Sequence, residues 1–235
     1  MTPPPPVRPG SSLVDPPVHL RRSVVVAVAT VVGLVMVGLL LRLTELDAAG
    51  SAAVHHLRGG PLGPVAEVLY LALKPLPATL TMLAATAAVA GLTRSWRPAV
   101  VFSGTIAVTW GSAEAVKLVV DRPRPGLSEA AMATIGRAAD ASFPSGHVAF
   151  TAALVAACVC LAWDTRWRSL VIVLGALLVA CMAAAVVIEG VHYLGDAAAS
   201  LVWVAGVFPA VRGGWAIAVA RMDATLRRRR SHPVV

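Results

Sequence analysis

Residues 23–41 read SVVVAVATVVGLVMVGLLL, a stretch without a charge, closed by Arg22 on one side and Arg42 on the other. A helix needs about 20 mostly apolar residues to cross the hydrocarbon core of a bilayer. The run also exceeds the apolar region of a secretory signal, about 7–15 residues, so it reads as a retained span. Working outward, five more uncharged runs follow: Pro75 to Thr93, Pro98 to Ala113, Val148 to Trp163, Ser169 to Ile188, and Ala197 to Val211. The third run passes Glu114 and Lys117 and stays apolar to Val120, and the last extends toward Ala220. Two runs are short and draw on weakly polar flanks. The expectation is an all-α polytopic membrane bundle of about six transmembrane helices. Composition agrees: 57% of the 235 residues are hydrophobic and 14% charged, against about 25% charged in soluble domains.

Three regions follow. Residues 1–22, with Pro3 to Pro6, Pro9, Pro16 and Pro17, read as a disordered cytoplasmic tail. Residues 23–220 form the six-span domain, and 221–235 a basic cytoplasmic tail. The net charge is +8, and lysine appears only at Lys74 and Lys117. Such arginine-rich, lysine-poor usage suits a bacterial, high-GC source. Excess arginine can signal nucleic acid, but in a membrane chain it reports topology. With the N-terminus in the cytoplasm, that side collects Arg8, Arg21, Arg22, Arg94, Arg97, Arg166, Arg168, Arg212, Arg221 and Arg227 to Arg230. The positive-inside rule therefore puts both termini in the cytoplasm. The Arg227–Arg230 run reads as a solvated tail on anionic headgroups, with no nucleic-acid partner.

Residues 43–74 form a long extracytoplasmic connection with a short amphipathic segment near Val65 to Leu73. His55 and His56 are adjacent, and neighbours in sequence do not share a helix face, so no metal site is expected there. Cys158, Cys160 and Cys181 lie inside apolar runs and read as small buried residues.

Three polar clusters interrupt the apolar chain, all at span ends on the extracytoplasmic side. The first, Lys117-Leu-Val-Val-Asp121-Arg122-Pro123-Arg124-Pro125, closes the third span. A charge inside a membrane boundary is costly and usually functional. One lysine with Arg122 and Arg124 offers a point charge plus planar forks, which suits phosphate. The second, Phe143-Pro144-Ser145-Gly146-His147, precedes the fourth span. Proline and serine suit a helix start, and the N–H groups of such a start attract anions. The third, Glu189-Gly190-Val191-His192-Tyr193-Leu194-Gly195-Asp196, joins the last two spans. Four residues apart on a helix, His192 and Asp196 would share a face, letting the carboxylate orient the imidazole.

Together these residues resemble the type 2 phosphatidic acid phosphatase superfamily, whose pattern is K-x6-R-P, P-S-G-H and S-R-x5-H-x3-D. Lys117, Arg124 and Pro125 match the first motif, Pro144 to His147 the second, and His192 and Asp196 the end of the third. The resemblance covers roughly residues 24–212. It departs at the start of the third motif, where Ala185 and Val186 stand in place of Ser-Arg. One phosphate-binding guanidinium is thereby absent, and Glu189 nearby would repel phosphate if it faced inward.

The resemblance implies a metal-independent, cofactor-free phosphoryl transfer. His192 would attack phosphorus, Asp196 would orient it, and His147 would protonate the leaving oxygen. Lys117, Arg124, Ser145 and Gly146 would hold the phosphoryl oxygens, with Arg122 as a secondary contact. The expected enzyme is a lipid phosphate phosphatase in a bacterial cell membrane, its site facing the extracytoplasmic side. Candidate substrates are a polyprenyl (pyro)phosphate, phosphatidate or phosphatidylglycerophosphate. Two rival readings are a phosphotransferase using the same His–Asp pair and a membrane protein that binds lipid phosphate without turnover.

Overall fold

The computed structural model describes residues 11–126 and 141–231, apart from the side chains of residues 11 and 227–231. Among the described residues there are nine α-helices and no strand. Backbone groups in a bilayer must be satisfied within their own segment, so each apolar run becomes a helix. They are α1 (Ser11–Val14), α2 (Leu20–Thr44), α3 (Ala48–His55), α4 (Leu62–Ala72), α5 (Pro75–Thr93), α6 (Trp96–Val120), α7 (Gly146–Ala162), α8 (Arg168–Ile188) and α9 (Leu194–Ser231). A 3-10 turn, His56–Gly59, links α3 to α4.

Five helices are long and apolar enough to cross a membrane: α2, α5, α6, α8 and the Leu194–Leu226 part of α9. The sixth expected span is α7, with 17 residues. At 1.5 Å per residue it reaches about 26 Å, at the short end of the spanning range. The outer faces carry the apolar excess: Val25, Val28, Val32 and Met36 on α2, and Val173, Leu174 and Leu177 on α8, are exposed. A soluble domain would bury such rows; here they suit lipid.

At the centre, α9 packs against α2, α6 and α7, and α7 also packs on α6 and α8. Small residues set the spacing, as in other membrane bundles. A Cβ on Gly206 would lie 2.0 Å from Thr30 Oγ1, so α9 can approach α2 only with glycine there. Trp203 is buried where α9 meets α6 and donates from Nε1 to the Thr109 carbonyl at 2.9 Å. The core around it includes Phe102, Ile106, Phe150 and Phe208.

The two ends of the bundle differ in chemistry. At the end holding the α7–α8 turn, Arg168 lies over Trp163 and Arg166 over Trp167, each 4.7 Å from the ring centre. Amphipathic aromatics beside arginines suit an interface with headgroups. Residues 11–19 belong to this end. Although a disordered tail is expected through residue 22, Leu13 is fully buried. Arg212 donates to the carbonyls of Ser12, Leu13 and Asp15 at 2.9, 3.0 and 3.1 Å. Composition hides this docking, because one leucine supplies the burial and an arginine 200 positions away in sequence supplies the hydrogen bonds. At the C-terminal side, α9 continues as helix through Ser231, into the expected tail. The expectations for residues 1–10 and 232–235 lie outside the described residues.

Candidate active site

All three polar clusters meet at the other end of the bundle. Helix α6 stops after Val120 because Asp121 takes a left-handed φ of 48° and its N–H bonds the Lys117 carbonyl at 2.8 Å. Arg42, from the end of α2, donates to the Val120 carbonyl at 2.9 Å and caps the same helix end. The chain then leaves regular structure from Arg122 to Arg124 and turns at Pro125 and Gly126. Ser142 binds it back: its N–H reaches the Arg122 carbonyl at 2.8 Å and its Oγ the Pro123 carbonyl at 3.1 Å. The first and second motifs are thereby laid side by side.

Ser145 is the N-cap of α7. Its N–H bonds the Asp196 carbonyl at 3.3 Å, and its own carbonyl accepts from Ser200 Oγ at 2.9 Å. Those bonds hold the second motif against the start of α9. The Ser145 hydroxyl itself is buried and has no partner among the described residues, and neither does His147 Nε2. The His147 ring stacks on Tyr70 of α4, with centroids 4.6 Å apart.

The third motif turns on Gly190, whose φ of 68° is left-handed and natural only to glycine. The N–H groups of Val191 and His192 both return to the Val186 carbonyl at 3.2 Å. This turn aims His192 inward, where it is 1% exposed. His192 Nδ1 lies 3.5 Å from Asp196 Oδ2, longer than a formed bond of about 2.9 Å. Such contacts commonly tighten only when substrate is bound. With Nδ1 facing the carboxylate, Nε2 is the nitrogen left for chemistry. Burial holds the His192 imidazole below its ordinary pKa; Asp196 opposes this, while Arg124 and Lys117 act with it. A neutral ring is the nucleophilic form. His147 is also close enough to His192, Arg124 and Lys117 for their charges to act on it.

Asp196 is fully buried and doubly held: Oδ1 accepts from Arg122 Nη1 at 2.7 Å and Oδ2 from the Tyr193 N–H at 2.9 Å. Arg122 is 1% exposed, and its guanidinium bonds Asp196 on one side and both oxygens of Asp47 on the other. The Tyr193 ring covers it at 3.9 Å. Burial alone would lower the Arg122 pKa, but the two carboxylates outweigh it and hold the group charged. Arg122, expected as a secondary phosphate contact, is thus held between two acids.

Asp47 and its neighbour Ser51 were not marked by the sequence. Asp47 Oδ2 also accepts from the Gly195 N–H at 2.8 Å, and Ser51 Oγ accepts from the Leu194 N–H at 2.9 Å. The stretch joining α2 and α3 thereby anchors the start of α9. A cavity of about 320 Å³ opens beside His192, lined by Ser51, His55, Pro125, Gly126 and Tyr193 among others. His55 Nδ1 lies 2.8 Å from the Ile188 carbonyl.

Of the other expected phosphate ligands, Arg124 donates to the Val191 carbonyl at 3.1 Å. Lys117 is 8% exposed, and its Nζ lies 2.9 Å from Glu114 Oε2, another residue the sequence reading passed over. Glu189 is paired with Arg58 at 3.1 Å. That ion pair offsets the repulsion an unpaired carboxylate would exert on phosphate. Val186, where the motif has arginine, is fully buried against Val148, Met182, Val187 and Ala197.

Comparison with curated proteins and with solved structures finds no match. A family model described as PAP2 superfamily matches residues 79–213, more than half of the chain. The matched stretch contains all three motifs, and membership supports a phosphatase acting on phosphate esters. The chain belongs to the PAP2 superfamily.

Proposed function

We propose that the protein is a lipid phosphate phosphatase working through a phosphohistidine at His192. The observation that carries this reading is the gathering of His192, Asp196, His147, Lys117 and Arg124 at one end of an apolar bundle. A lipid headgroup can enter there while its tail stays in the bilayer.

In the first step the lone pair of His192 Nε2 attacks phosphorus. The bond from phosphorus to the lipid oxygen breaks, and that oxygen takes a proton from His147. In the second step water attacks the phosphohistidine, gives its proton to His147, and inorganic phosphate leaves with His192 restored. Asp196 stabilises the positive charge that His192 acquires. Lys117, Arg124, the Ser145 hydroxyl and the Gly146 N–H hold the oxygens on which charge builds. Arg122 and Asp47 hold Asp196 in place. The substrate classes are those expected from the resemblance, and the site faces the extracytoplasmic side of a bacterial cell membrane, opposite the arginine-rich end.

Val186 favours a second reading, binding without turnover, because a charge-assisted contact worth about 1.5–3 kcal/mol is missing. Purified protein in detergent, given a panel of lipid phosphates with inorganic phosphate measured, separates the two. The proposal requires release that vanishes in His192→Ala.

A further inference from the structure

Glu114 stands one turn before Lys117 on α6, and its two oxygens have different neighbours. Oε2 meets Lys117 Nζ at 2.9 Å. Oε1 lies over Gly146, so close that a Cβ there would be 2.3 Å from it. The next nearest group to that position is the indole Nε1 of Trp110, at 3.6 Å, which is buried and has no hydrogen-bond partner. Gly146 opens α7 behind the Ser145 cap, whose hydroxyl is fully buried and equally unpartnered. A carboxylate thus meets a lysine and lies over the first residue of α7, and two buried donors at that point, Trp110 Nε1 of α6 and the Ser145 hydroxyl, have no partner among the described residues.

We propose that Glu114 is the resident anion of the phosphate cradle. It competes with incoming phosphate for Lys117 and the α7 N-terminus, and it must swing out for phosphate to enter. This rests on the phosphatase reading and adds a selection rule to it. The Glu114 side chain is 44% exposed, so it has an outward path. A phosphate carried by a lipid gains tail burial and can displace the carboxylate. Free phosphate gains nothing comparable, so Glu114 disfavours rebinding of the product and speeds its departure.

The test measures inorganic phosphate binding to the full-length protein in detergent, by calorimetry, with Lys117→Gln as the cradle control. Glu114→Gln keeps the shape and removes the charge; Glu114→Ala removes the group. Both should bind phosphate about tenfold more tightly than the native protein, because a like charge and a competitor for Lys117 are gone. Lys117→Gln should bind more weakly. If native binding depends on Lys117 but neither Glu114 variant gains affinity, this proposal fails while the phosphatase reading stands. If no variant binds phosphate and the native protein releases none from lipids, both fail together. Loss of monodisperse protein in both Glu114 variants would mark the residue as structural and overturn the proposal.

Discussion

Arg122 Nη1 lies 2.7 Å from Asp196 Oδ1, and the same guanidinium is clasped from behind by Asp47. The carboxylate facing the proposed nucleophile is therefore fixed by a cation that is itself fixed by a second acid. Removing one member of a buried pair costs about 3–5 kcal/mol, because a charge is left uncompensated. Asp47→Ala is expected to lower the melting temperature and to cut kcat/KM by about 10²-fold, with kcat falling more than KM rises. Asp47→Asn should fall between. Unchanged kcat in folded Asp47→Ala would show that Asp196 needs no such support.

His192→Ala is expected to abolish phosphate release. His147→Ala should do so for lipid alcohols, which are poor leaving groups, and should spare an activated aryl phosphate more. Asp196→Asn should lose between about 10²- and 10⁴-fold, the range typical of proton-transfer support. Steady-state assays on the three variants check the order. Native-like rates in Asp196→Asn would contradict the assigned role.

The burial that lowers the His192 pKa makes a pH prediction with a definite sign. Below its ordinary 6.5 the unfolded ring takes a proton while the folded one stays neutral. Acidification then favours the unfolded chain. Stability from this residue is complete above pH 6.5 and declines as pH falls below it. Melting curves between pH 7 and pH 5 should show a larger drop for native protein than for His192→Gln. Equal drops would place the sensitivity elsewhere.

Position 186 was legible as a departure, but its consequence depends on packing. An arginine there enters an apolar cluster, and Glu189 Oε1, buried and unpartnered, is the nearest acid in sequence. Val186→Arg is expected to lower the melting temperature, yet to raise turnover per folded molecule by about 10- to 150-fold. Calorimetry and phosphate release on the same sample read both effects. Lower stability with no gain in turnover would mean that Lys117 and Arg124 suffice.

The helices could be read in advance because each span is a continuous apolar run, a local property. Lys117, Arg124, Ser145, His147, His192 and Asp196 could be singled out because they stand at motif spacings, and the structure brings their three clusters to one end of the bundle. Asp47 could not. With Glu45 it is one of two acids in a short connection, 75 positions from the arginine it binds, and no motif spacing singles it out. Arg122 shows the same limit: sequence shows a cation beside a phosphate motif, while its pairing with Asp47 and Asp196 depends on the fold. The docking of Leu13 and the seating of Glu114 on Gly146 also depend on contacts between distant segments.

Topology has its own check. In protein freed of native cysteines, Gly60→Cys and Arg221→Cys should label from opposite sides of sealed vesicles. Labelling of both from the same side would contradict a site and a C-terminal end on opposite faces, and labelling of Gly60→Cys from the cytoplasmic side alone would reverse the orientation.

In the proposed reaction His192 carries the phosphoryl group. The most direct measurement is rapid quenching of the native protein with a lipid phosphate labelled at phosphorus, followed by mapping of the labelled peptide. The account predicts an alkali-stable, acid-labile phosphate on His192, formed before product and absent from His192→Ala. Phosphate release that proceeds with no labelled histidine, or that survives His192→Ala, would contradict it.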